Sequence, residues 1–113
     1  MAQHDARFLF GSDTPSDETF ANPPGLNGWF EMHRLIDAGL TPAQLFRAAT
    51  LTNAEALGLS KDIGTVQVGK RANLLLLHQD PTQTIHAYDH IERVILHGRV
   101  LDPQALAADA AAQ

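Results

Sequence analysis

No cysteine occurs among the 113 residues of this chain, so neither a disulfide framework nor thiolate chemistry is open to it. Basic residues are few. Eight Lys and Arg stand against thirteen Asp and Glu, the formal net charge is -5, and no Lys or Arg cluster offsets it. That balance argues against a nucleic-acid surface. No apolar run approaches the roughly 20 residues of a membrane span. The opening residues Met1-Ala2-Gln3-His4-Asp5 are polar and lack the apolar core of a signal peptide. What remains is a soluble chain of one-domain size, with 44% hydrophobic and 19% charged residues, a globular balance rather than a disordered one. Lack of cysteine does not choose between cytoplasm and periplasm.

The richest stretch is Phe8-Leu9-Phe10-Gly11-Ser12-Asp13-Thr14-Pro15. Residues 7–11 read as a buried strand that stops at a small polar turn bearing a carboxylate. Such a tip is where α/β barrels place their chemistry. Residues 12–28, with Asn22-Pro23-Pro24-Gly25 at the centre, form a loop long enough to suggest function. Helical periodicity follows over 28–39, with Trp29, Met32 and Ile36 on one face, Phe30 and Leu35 widening it, and Gly39 as the stop. Thr41-Pro42-Ala43-Gln44 and Thr52-Asn53-Ala54-Glu55 each spell a capping box, predicting two further helices, the second closed by Gly58. Small residues Ala48, Ala49, Ala54 and Ala56 would let them pack closely. Gly64 to Gly69 then alternates like a half-buried strand. Ala72 to Leu77 is an apolar run suited to a strand covered on both faces, and Ile91 to Leu101 reads as two strands joined at His97-Gly98. The segment from Ala105 to Gln113 is an Ala-rich tail. One lone strand before three helices leaves its edges unpaired, which suggests a piece of a larger fold.

These residues resemble the C-terminal part of the metal-dependent amidohydrolase superfamily, near its imidazolonepropionase-like members. The resemblance rests on Phe10-Gly11-Ser12-Asp13-Thr14-Pro15, Ala38-Gly39-Leu40-Thr41-Pro42, Ala48-Ala49-Thr50 and Asn53-Ala54-Glu55-Ala56-Leu57-Gly58-Leu59. It continues through Gly64-Thr65-Val66, Gly69-Lys70-Arg71-Ala72-Asn73-Leu74-Leu75-Leu76-Leu77, Asp80-Pro81 and Val94 to Val100. Each motif alone is weak; their order and spacing carry the likeness. It implies an α/β fold class: the last strand and closing helices of a (β/α)8 barrel over residues 1–60, then returning strands of a small β-sandwich domain over 61–102. Residues 103–113 are the tail. The family usually has Asp where this chain has Asn73, a position in the β domain and away from the site.

By the same resemblance Asp13 is the catalytic carboxylate and a metal ligand, taking a proton from the attacking water. The implied reaction is metal-dependent hydrolysis of a C–N bond in a small amide, with zinc as the expected ion. The family's other ligands, a His-x-His pair among them, are missing from this chain, and one carboxylate cannot hold a catalytic zinc that wants about three protein ligands. The chain alone is therefore expected to be inactive and to bind no metal tightly. On spacing alone Asp13 is more often an Asx-turn or helix-cap residue than a ligand. Asn22 and Asn27, with Pro23 and Pro24, either line the substrate mouth or make a rigid turn with Asn27 as helix cap. Asp17 and Glu18 read as solvated loop charges. His86 and His90, four apart, have a metal-binding spacing only if helical. His33 reads as packed on an apolar face, His97 as a turn residue, and Trp29 and Phe30 as core. Two alternatives stand beside the hydrolase: a truncated, inactive fragment, and a small interaction domain. Uncovered apolar faces would make self-association a further expectation.

Overall fold

The computed structural model describes residues 7–12 and 26–106. The first helix, α1 (Leu26–Asp37), starts two residues earlier than its periodicity suggests and buries no side chain completely. Phe30, expected in a core, is 44% exposed. The helix ends because Gly39 takes φ 111. There its N–H donates to the Ile36 carbonyl at 3.0 Å, and the Leu40 N–H donates to the Leu35 carbonyl at 3.1 Å. This reciprocal pair satisfies the last carbonyls of the helix and turns Leu40 inward, where it is buried.

Helix α2 (Pro42–Arg47) begins as its sequence prescribes. The Thr41 hydroxyl accepts from the Gln44 N–H at 3.2 Å, the Gln44 side chain accepts from the Thr41 N–H at 2.9 Å, and Pro42 fills the first turn. The second capping box does not form. Thr52 is itself helical, at φ -65 and ψ -40, and makes no capping bond. The chain runs on through a π turn (Ala48–Thr52) into α3 (Asn53–Ala56) without a break, so there is no exposed N-terminus for a cap to satisfy. Two expected helices are one continuous rod. It ends at Gly58, φ 72, where the Gly58 and Leu59 N–H groups close back on Glu55 and Ala54. Ala48 and Ala54 are buried, but Ala49 and Ala56 face solvent.

The β unit is an antiparallel sheet ordered β1 (Leu74–Leu77), β2 (Ile91–Leu96), β3 (Arg99–Leu101). Leu74 pairs with Ile95 and Leu76 with Arg93, and a bulge before Leu77 shifts the register to Ile91. His97 (φ 50) and Gly98 (φ 78) form the two-residue hairpin between β2 and β3. Asn73 uses its Oδ1 to accept the His97 N–H at 2.9 Å. A carboxylate oxygen would serve equally, so the Asp that the resemblance leads one to expect at this position would keep the same tie.

Two strand expectations fail for one reason. Residues 64–69 form no strand; Val66 is 81% exposed and Val68 fully so. The run at β1 is not covered on both faces either, since Leu75 and Leu76 are each 49% exposed. Alternation and apolarity make a strand only where a pairing edge and a covering layer exist. Among the described residues, 64–69 have no pairing edge, and β1, although paired with β2, has no layer over Leu75 and Leu76. The segment ahead of β1 is folded on itself instead, through the Arg71 N–H to the Asp62 carbonyl at 2.8 Å and Lys70 Nζ to the Thr65 hydroxyl at 2.6 Å. A 3-10 turn (Ile85–Asp89), capped by the Thr84 hydroxyl, buries Ile85 and Ala87 ahead of β2. Of the tail, residues 103–106 make one helical turn, and the rest lies outside the described residues.

Candidate functional site

The run from Arg7 to Ser12 is not a strand. Phe10 is nonetheless hydrogen-bonded as a strand residue would be. Its N–H donates to Asn53 Oδ1 at 3.1 Å, and its carbonyl accepts from Asn53 Nδ2 at 2.8 Å. One carboxamide thus meets both backbone groups of one residue, the exchange a paired strand normally provides. Two further ties flank it. Asn27 Nδ2 donates to the Ser12 carbonyl at 3.0 Å, and Arg7 forms an exposed ion pair with Glu55. Helix α1 therefore holds one end of the run and α3 the middle and the start.

Asp13 and Asn22 lie outside the described residues, as do Asp17, Glu18, Pro23 and Pro24. Asn27 lies within the first turn of α1 rather than capping it from outside, and its amide reaches across to Ser12. In the sequence Asn53 reads only as part of a capping box, which does not point to its contact with Phe10. One signal was available: Asn is a poor residue for a helix interior because its side chain competes for backbone groups. An Asn inside a helical run invites the question of which backbone it serves.

The histidines gather elsewhere. His33 packs on Trp29 with ring centroids 4.0 Å apart, and His86 stands 6.2 Å from His33. Asp89 joins them, accepting from Trp29 Nε1 at 2.8 Å and facing His86 Nδ1 at 3.0 Å. This cluster ties α1 to the 3-10 turn. His86 and His90 do not share a ligand geometry: His86 is engaged with Asp89, and His90 is the residue that ends the turn. Among the described residues, no group of three His, Cys, Asp or Glu converges as a metal site. An open depression of about 690 Å³ lies beside His78, Tyr88, Glu92 and Asp102, and neither Asn27 nor Asn53 borders it.

The Trp29 hydrogen bond, then that of His86, holds the Asp89 carboxyl below its ordinary value of 3.8, with the charges of His86 and His33 adding to the effect. A lowered carboxylate pKa means stability that is present above the unfolded pKa and lost as pH falls through the folded one. Acid melting curves taken from pH 5 downward should therefore be shallower for Asp89→Asn than for the unaltered protein. Identical slopes would show that the cluster contributes no linkage.

The sequence model of the Amidohydrolase family matches residues 1–101. Imidazolonepropionase of Geobacillus sp. (strain WCH70) is 35% identical over 69 residues, covering 58% of this chain and 16% of the relative. Adenine deaminase of Moorella thermoacetica is 30% identical over 95 residues, 84% of this chain and 15% of the relative. Among solved structures, phenylurea hydrolase B superposes with a TM-score of 0.62 at 32% identity, over 71% of this chain and 17% of that one. The chain belongs to the amidohydrolase family. It spans about a sixth of the length of these relatives. No helix among the described residues is long and apolar enough to cross a membrane.

Proposed function

We propose that this chain is the C-terminal part of a metal-dependent hydrolase that cleaves a C–N bond of a small amide, cyclic amides included. The observation that carries the reading is the family match across residues 1–101, which includes the Phe10-Gly11-Ser12-Asp13 motif. In this reading Asp13 accepts a proton from the attacking water, returns it to the leaving amine, and is one ligand of a divalent ion, zinc by expectation. The described residues do not by themselves fit a zinc site, since no three ligating side chains converge among them. The remaining ligands belong to other parts of a full-length protein. Asn22 and Asn27 border the substrate entrance. Residues 1–60 supply the last barrel strand, loop and closing helices, and 61–102 part of a small β domain completed by further strands. The exposed Val66, Val68, Leu75 and Leu76 support that last point, because they are the apolar positions such strands would cover.

The test is metal dependence. Full-length protein dialysed against dipicolinate, with metal content measured, should lose turnover of para-nitroacetanilide and regain it when zinc is restored. Unchanged turnover in metal-free protein would defeat the reading.

A further inference from the structure

We propose that Asn53 is a positioning residue for Asp13: its carboxamide stands in for a neighbouring strand at Phe10 and fixes the run Phe10-Gly11-Ser12 that leads into the carboxylate. The inference rests on the reading of Asp13 given above.

Three features carry it. The first is the two-bond geometry. Asn53 Oδ1 and Nδ2 meet the N–H and carbonyl of the same residue, at 3.1 and 2.8 Å, across 43 positions of sequence. A single bond would locate Phe10; a pair on one planar group also fixes its orientation. The second is the helix itself. The Asn53 N–H donates to the Ala48 carbonyl five residues back, the mark of the π turn that precedes it. One extra residue in a turn rotates everything after it by about 100°. In an uninterrupted α-helix Asn53 would sit on another face, away from Phe10. π turns recur at functional sites because they re-aim a side chain in this way. The third is convergence. Asn27 fixes the Ser12 carbonyl from α1, and Glu55 pairs with Arg7 from α3. The residue that directly precedes Asp13 is thus tied to one helix, and Phe10, three before it, to the other.

A carboxylate that must meet both a water and a leaving group loses rate steeply when misplaced; about 1 Å can cost a hundredfold. The experiment compares Asn53→Ala, Asn53→Asp and Asp13→Asn in the full-length protein, each confirmed folded at assay temperature by circular dichroism. Two readouts are taken. Amide hydrogen exchange should show the Phe10 N–H protected in the unaltered protein and in Asn53→Asp, which keeps the acceptor, and fast in Asn53→Ala. Turnover of para-nitroacetanilide by Asn53→Ala should fall in kcat by about ten- to a hundredfold with KM within about twofold, and the acid limb of its pH profile should move. Fast exchange at Phe10 with unaltered kcat and an unmoved acid limb would make the clamp structural only and overturn the proposal. Unchanged protection in Asn53→Ala would overturn it as well. Full turnover by Asp13→Asn would instead sink the functional reading, a failure told apart from the others by that variant.

Discussion

Asp13→Asn in the full-length protein should lower kcat about a thousandfold or more while leaving the fold intact. General acid–base catalysis by one positioned group contributes about 10² to 10⁴ in rate. Asn preserves the size and the hydrogen-bonding shape of Asp but has no basic oxygen, so it cannot take the proton, and its neutral amide is a far weaker partner for a divalent ion. The substitution also separates the two readings of the residue. An Asx-turn role is served as well by Asn as by Asp, so a purely structural Asp13 predicts turnover close to the unaltered protein. Asp17→Asn, four positions on, is the matched control, since a solvated loop charge should be dispensable. Steady-state kinetics on para-nitroacetanilide, with metal content measured in parallel, would decide it. Retained kcat in Asp13→Asn would remove the residue from the chemistry.

What the sequence announced and what it hid divide along a physical line. The Thr41 capping box, the Gly39 and Gly58 stops and the His97-Gly98 hairpin were all legible, and all are local. Each is fixed by residues within about one turn of the chain, so the pattern and its energy lie in the same few positions. The misreadings involve features whose energy lies elsewhere. Residues 7–11 and 64–69 have strand-like composition, but a strand is completed by a partner, and no strand among the described residues pairs with either. Thr52-Asn53-Ala54-Glu55 has the letters of a cap, but capping needs a helix that begins there, and the π turn carries the helix through. The same π turn sets the contact of Asn53 with Phe10, a pairing across 43 positions that no local pattern encodes. Asp13 was legible by its motif; its partners in chemistry depend on residues that the motif does not contain.

Among the described glycines, Gly64→Ala should be the most damaging change to alanine, costing about 2–5 kcal/mol of stability. Two independent penalties meet there. Gly64 has φ +100, a conformation that an L side chain adopts only with strain of about 1–2 kcal/mol. A Cβ on Gly64 would also lie 2.8 Å from the Ala54 Cβ, 3.3 Å from the Leu51 Cα and 3.5 Å from the Thr50 carbonyl oxygen. None of these can swing aside. Ala54 is 2% exposed and has no rotamer to change, and Leu51 and Thr50 offer backbone atoms of the π turn. Overpacking against such a wall costs about 1–3 kcal/mol. Gly58→Ala separates the two contributions, because Gly58 also has positive φ, 72, but nothing lies within 4 Å of its added methyl. That variant should lose only the conformational part, about 1–2 kcal/mol. Denaturant unfolding of the full-length protein should rank Gly64→Ala well below Gly58→Ala. Adding Ala54→Gly to Gly64→Ala should recover part of the difference, even though Gly weakens the helix by about 1 kcal/mol, because it removes the nearer clash. Equal losses for the two alanine variants would mean that Gly64 does not approach the π turn closely in solution, and with that contact would go the rigid backing of the helix that carries Asn53.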